Sequence, residues 1–167
     1  MIIIETERLE LREFNDEDIS VLYTIFSDAE TMKYYPSSFN LEQTKNWIEK
    51  NKQRYREDGY GLWAVCLKES KELIGDCGLV KQIVDGKNEV EVGYHIHKKY
   101  WSKGYATEAA KGCVEFGFAH LGQERLISII DPKNGASIRV AEKNGLMKEK
   151  ESFVFNKTHD IYSLNKL

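Results

Sequence analysis

The stretch from Glu89 to His120 constrains the fold more than any other part of the chain. Val90, Val92, Tyr94 and Ile96 alternate with other residues, the period of a half-buried strand running to His97. Trp101-Ser102-Lys103-Gly104-Tyr105-Ala106 breaks that alternation. From Thr107 to about His120 a helix is predicted, with Ala106, Ala109, Ala110, Cys113, Val114 and Gly117 forming a face of small and apolar residues. A strand, a glycine loop and a helix in that order aim several unpaired backbone N–H groups at one point, where the helix dipole adds positive character. Gly104 permits close backbone approach, Ala106 leaves the helix start uncrowded, and Lys103 adds a charge. Two readings fit this spacing: a phosphate or pyrophosphate site, or a turn that needs a glycine for its shape alone. Neither Gly-x-x-x-x-Gly-Lys-Ser/Thr nor Gly-x-Gly-x-x-Gly after a strand occurs, which excludes a Walker loop and a Rossmann fingerprint.

The remaining elements follow from local signals. Arg8 to Arg12 alternates Leu9 and Leu11 with polar neighbours, a strand. Asp16 to Ser27 carries Ile19, Leu22, Ile25 and Phe26 on one helical stripe, with acidic residues in its first turn. Asn40 opens a second helix through a capping box with Gln43, and Asp58-Gly59 ends it. Leu62–Leu67 and Glu72–Ile83 form a hairpin around Lys68–Lys71, and Asp85 to Asn88 is a second turn. Arg125–Ile130 is a strand stopped by Pro132. Asn134–Asn144 is a short helix stopped by Gly145. Strands near Met147–Phe155 and Asp160–Leu164 complete the order β-α-α-β-β-β-α-β-α-β-β, an α+β fold rather than a doubly wound one.

Composition narrows the partners. At 167 residues, with 41% hydrophobic and 31% charged, the chain suits one domain around one core. A net charge of −3, with both signs scattered, weighs against a duplex nucleic-acid binder. Cys66, Cys77 and Cys113 are odd in number and spaced like no metal cluster or disulfide framework, so they read as reduced, buried hydrophobes. Met1 to Ile4 is too short for a signal peptide or a membrane span. A cytoplasmic setting, with no membrane partner, is the expectation.

Residues Glu91 to Ala109, EVGYHIHKKYWSKGYATEA, resemble the acetyl-CoA motif of the GNAT acetyltransferases, in which a Gln/Arg-x-x-Gly-x-Gly/Ala loop grips the pyrophosphate. Thr6 to Arg12, Asp16 to Asp18, Leu73 to Gly75 and Asn134 to Gly145 are similar to further blocks of the branch containing the ribosomal-protein-alanine N-acetyltransferases. The resemblance implies the GNAT fold, a central mixed, mostly antiparallel twisted sheet flanked by helices. It also implies acetyl-CoA as co-substrate and a primary amine as acceptor, either a protein N-terminus or a small amine; a homodimer is compatible with it. Three positions depart from the wider pattern. Trp101 stands where Gln or Arg is frequent, Ser102 where glycine is frequent, and Ala141 where many members carry the tyrosine that protonates the departing thiolate.

Acetyl transfer to an amine needs an unprotonated nitrogen, a polarised carbonyl and a stabilised thiolate. By resemblance, the backbone N–H of Tyr94 polarises the carbonyl on a strand that splays from its neighbour, and Ile96 pairs with the pantetheine arm. Trp101, Ser102, Lys103, Gly104, Tyr105, Ala106 and Thr107 hold the pyrophosphate. Asn134 is a pantetheine contact, a plain helix cap, or both. Ser137 is the candidate acid in place of the missing tyrosine. Glu91 sits on the strand face opposite Val90 and Val92, where a solvated carboxylate is the simpler reading and a base, direct or through water, the sharper one. His95 and His97 share a strand face without an acidic or cysteine partner at ligand spacing, so no metal is expected. Tyr34, Tyr35, Trp47, Tyr60 and Trp63 are candidates to wall a substrate cleft, with Met32 to Phe39 as the contact segment.

Two rival readings differ in class. Loss of the tyrosine at Ala141 leaves room for a non-catalytic acyl-CoA-binding module, and the glycine loop alone leaves room for a nucleotide-phosphate binder.

Overall fold

A computed structural model describes residues 1–167. The strands are β1 (Ile2–Glu5), β2 (Leu9–Arg12), β3 (Leu62–Leu67), β4 (Leu73–Val84), β5 (Lys87–Ile96), β6 (Arg125–Ile130), β7 (Met147–Val154) and β8 (Lys157–Asn165). The helices are α1 (Ile19–Phe26), α2 (Leu41–Asp58), α3 (Tyr105–Ala119) and α4 (Gly135–Lys143). All eight strands join one sheet in the order β1-β2-β3-β4-β5-β6-β8-β7. Every pairing is antiparallel except that of β5 with β6, as expected for the mixed, mostly antiparallel GNAT fold. No helix is long and apolar enough to cross a membrane.

Alternation along β3 explains the layers. Trp63 and Val65 point into the larger core beneath α3, while Ala64 and Cys66 point into a second core beneath α1 and α2. The small face of α3 lets that helix lie close to the sheet: a Cβ added at Gly117 would stand 3.1 Å from a Leu126 methyl. Ala109, Ala110 and Cys113 share this buried face. All three cysteines are buried with free thiols, Cys77 and Cys113 having their sulfurs 3.6 Å apart.

Several elements differ from the sequence reading. β1 adds an edge strand before Arg8, pairing with β2 across a bulge between Ile2 and Ile4. The first helix splits: Asn15 caps a 3-10 turn over Asp16–Asp18, and Arg12 grips the Asp18 carboxylate with two nitrogens at 2.9 Å before α1 begins. α3 starts at Tyr105 rather than Thr107. β8 starts at Lys157 because Phe155 and Asn156 make a tight turn with positive φ, so the hairpin needs no longer loop.

Candidate active site

The site begins where the sheet comes apart. His97 N–H donates to Ile74 O at 2.9 Å, so in the β4–β5 register the odd residues of β5 make the hydrogen-bonded pairs with β4. The N–H and C=O groups of Val92, Tyr94 and Ile96 therefore turn the other way, toward β6. There β6 pairs only at Glu91–Ile127. The Ser128 hydroxyl donates to Val92 O at 2.9 Å, and beyond that point no ladder continues. The Tyr94 and Ile96 amides face the gap between the strands, while Ile96 O accepts the Trp101 indole N–H at 2.7 Å.

The glycine loop closes one end of this gap. Ser102 (φ 63) and Gly104 (φ 81) both adopt left-handed backbone around Lys103, a conformation that Gly104 takes without strain. Gly104 caps α3 with no side-chain bond. The first in-helix donor is Glu108 N–H, to Gly104 O at 3.0 Å, so the amides of Tyr105, Ala106 and Thr107 are the orphan donors of the helix start. Glu108 is bound by Arg8 Nε at 2.7 Å, by Arg8 N–H at 2.9 Å and by the Thr6 hydroxyl at 2.5 Å. Arg8 also donates to Lys103 O at 2.9 Å, and its guanidinium lies 4.4 Å over the Tyr105 ring.

The start of α4 forms the opposite wall. Asn134 Oδ1 accepts Ser137 N–H at 3.1 Å, so the capping role is met, and the two amide N–H donors of Asn134 remain for another partner. The Tyr94 hydroxyl donates to Ser137 O at 3.1 Å, bridging β5 and α4, and burial raises that phenol well above its ordinary range. Ala141 is buried in the core, packed away from the wall. Tyr34 donates to Lys133 O at 3.0 Å and ties the α1–α2 connection to the same region.

Together these elements enclose a cleft of about 600 Å³. Tyr94, Ile96, Trp101, Ser102, Gly104, Tyr105, Ala106, Thr107, Asn134 and Ser137 all line it. Lys103 does not; it presents its backbone carbonyl to Arg8 instead. Tyr34 and Tyr35 line the cleft as the sequence suggested, whereas Trp63 and Tyr60 are core residues. Arg139 and Lys143, one helical turn apart on α4, add positive charge to the wall and were not singled out from sequence.

Glu91 corrects an expectation. It is half-buried rather than solvated, and it lies outside the cleft lining. Burial pushes its carboxyl up to about 7, against the opposing pull of the Gln82 amide, the Ile129 amide, His95 and Arg54. Gln82 Nε2 donates to it at 3.0 Å.

Sequence reasoning missed a connected polar group beside the gap. His95 Nδ1 lies 2.6 Å from Asp76 Oδ1, Trp47 Nε1 donates to Asp76 Oδ2 at 2.9 Å, and Tyr35 bonds His95 Nε2 through its hydroxyl. His97 is not part of it; its ring lies near Tyr100. The partners are 19 and 60 residues apart, so no local spacing could reveal them.

Comparison with known proteins agrees with this geometry. The acetyltransferase (GNAT) domain family matches residues 8–147. The uncharacterized protein YkkB of Bacillus subtilis (strain 168) is 35% identical over 158 residues, covering 94% of this chain and 92% of its own. The crystal structure of a GNAT-family acetyltransferase from Bacillus anthracis superposes with a TM-score of 0.82 at 31% identity, covering 99% of this chain and 98% of that one. The ribosomal-protein-S5-alanine acetyltransferase of Vibrio fischeri shares the fold at 18% identity, with a TM-score of 0.78 over 96% of this chain and 94% of that one. A strand pair that parts beside a glycine-capped helix, a family match across most of the length and a close structural relative lead to one assignment: the chain belongs to the GNAT N-acetyltransferases.

Proposed function

We propose that the chain acetylates a primary amine in the cleft between β5, the start of α3 and the start of α4, and that its acceptor is the N-terminal amine of a protein. GNAT enzymes use acetyl-CoA. When bound, that donor supplies a thioester carbon open to attack by an amine. The observation that carries the reading is the convergence of the Tyr105, Ala106 and Thr107 amides with the unpaired edge of Tyr94 and Ile96 on one cleft. Helix-start amides suit a diphosphate, and an exposed strand edge suits the amide-bearing pantetheine arm.

In this reading Ser102 and Gly104 shape the loop, and Trp101 holds the Ile96 carbonyl so that the Ile96 amide is presented. Lys103 contributes through its backbone. Arg139 and Lys143 oppose phosphate charge. Asn134 gives its amide donors to the pantetheine arm while its oxygen caps α4. The Tyr94 amide faces the acetyl oxygen, and the Ser137 hydroxyl serves the leaving sulfur. Glu91, outside the lining, tunes the field of the site rather than meeting the amine. The acceptor is supported by the sequence blocks similar to the ribosomal-protein-alanine branch and by the fold shared with the Vibrio fischeri enzyme.

The test is an acetyl-transfer screen with N-terminal peptides, polyamines and aminoglycosides, read by product mass. Acetylation of peptide α-amines supports the proposal. Exclusive modification of polyamines or aminoglycosides rejects the acceptor, and acetyl-CoA binding without any product rejects the transferase reading.

A further inference from the structure

We propose that Tyr35, His95 and Asp76 form a proton relay that takes the proton of the incoming ammonium, with Tyr35 as the group that touches the acceptor and His95 as the final base. The proposal rests on the transferase reading above.

Asp76, the fourth residue of β4, is 0% exposed. A carboxylate buried so deeply costs several kcal/mol unless it is paired. Its oxygens accept from Trp47 Nε1 and from His95 Nδ1, so the hydrogen of the neutral imidazole sits on Nδ1. His95 Nε2 is then a bare acceptor, and it takes the Tyr35 hydroxyl hydrogen. Phe26, Trp47 and Tyr35 surround the imidazole with ring centroids at 5.5, 5.6 and 4.6 Å, which fixes its orientation.

At its other end the relay opens to the cleft. Tyr35 and His95 both line it, and His95 follows directly after Tyr94, whose amide faces the gap. The Tyr35 ring is 37% exposed, but its hydroxyl is turned inward onto His95, and desolvation of that hydroxyl raises the phenol well above its ordinary range, so it passes a hydrogen on rather than losing one. A carboxylate, an imidazole of fixed tautomer and a hydroxyl reaching the substrate are the parts that deliver proton removal at a buried site.

Tyr35 Oη accepts one hydrogen from the ammonium while its own passes to His95 Nε2, and the Asp76 carboxylate offsets the imidazolium charge. The freed nitrogen pair forms the N–C bond to the acetyl carbon. The C–S bond breaks with its electrons on sulfur; the Ser137 hydroxyl passes its hydrogen to sulfur and takes the second N–H hydrogen in its place. After product release the His95 proton leaves to solvent through Tyr35.

The experiment compares ethylamine, an ammonium at neutral pH, with 2,2,2-trifluoroethylamine, a neutral amine of similar shape that needs no base before attack. His95→Gln is expected to lower the ethylamine-to-trifluoroethylamine rate ratio by about 100-fold, and Tyr35→Phe, which removes one hydroxyl, to lower it similarly. An unchanged ratio, with both amines slowed alike, overturns the relay in favour of a purely structural tie. Wild-type protein that binds acetyl-CoA in calorimetry yet acetylates neither these two amines nor any peptide, polyamine or aminoglycoside of the screen removes the transferase reading and the relay with it. Proton NMR supplies a reading without turnover. A downfield His95 Nδ1–H resonance should be present in wild type, displaced in Tyr35→Phe and missing in His95→Gln; a wild type lacking it overturns the proposal.

Discussion

Arg8 and Glu108 meet across 100 residues of chain, guanidinium Nε to carboxylate Oε1 at 2.7 Å, and join the β1–β2 connection to the first turn of α3. The pair holds the back of the glycine loop, because the same guanidinium also takes the Lys103 carbonyl. It also neutralises an acidic residue that would otherwise compete with an anion for the helix start.

Glu108→Gln is therefore expected to weaken acetyl-CoA binding without abolishing it. Half-exposed ion pairs contribute about 1 kcal/mol at most, about fivefold in Kd. Calorimetric titration reads this directly, and an unaltered Kd would mean that the loop holds its shape without Arg8.

Gly104→Val places a β-branched residue at φ +81, a conformation that side chains of that kind avoid. The nearest atom to an added Cβ is Arg8 Nη2 at 3.4 Å, so backbone strain dominates over crowding. Acetyl-CoA affinity should fall by about 100-fold or more, the scale of a strained residue costing about 3 kcal/mol. Retained affinity in the folded variant would show that the loop does not set the binding geometry.

Asn134→Ala removes the cap of α4, at a cost of about 1 kcal/mol, together with two donors facing the cleft. Melting temperature and the Michaelis constant for acetyl-CoA should move together. A lower melting temperature with an unchanged constant would leave Asn134 as a cap only.

Much of the fold was legible because its signals are local. Asn40 and Gln43 form the reciprocal capping box that their spacing announced, with bonds of 2.8 Å each way, and Gly59 ends α2 where Asp58-Gly59 suggested. β3 and β6 have the boundaries read for them, Leu62–Leu67 as one half of a hairpin and Arg125–Ile130 as a β-rich run. β1 escaped notice because Ile2–Glu5 is a strand only by virtue of its pairing with β2, and four residues carry no period of their own. The candidate site divides in the same way. The loop from Trp101 to Thr107 is contiguous and could be read as a motif, whereas Asp76, His95 and Tyr35 meet only after β4, β5 and the α1–α2 connection are in place. The environment of Glu91 was misjudged because strand alternation gives the face of a residue and not what covers that face.

Glu91 supplies a pH signature. Its folded carboxyl titrates at about 7 rather than at the ordinary 4.5, so the folded state holds its proton more tightly than the unfolded state does. Stability from this group thus falls as pH rises through that window and levels off above it, by about 3 kcal/mol in all. Glu91→Gln should match wild type in acid and exceed it in thermal stability at about pH 8. Parallel curves for the two proteins across the window would reject the buried carboxyl.

The most direct measurement is the structure of the protein crystallised with acetyl-CoA. The diphosphate is expected within about 2.7–3.2 Å of the Tyr105, Ala106 and Thr107 amides, with the pantetheine arm along Tyr94 and Ile96. Electron density for the pantetheine arm anywhere other than between β5 and β6, or diphosphate oxygens out of reach of those three nitrogens, would contradict the site.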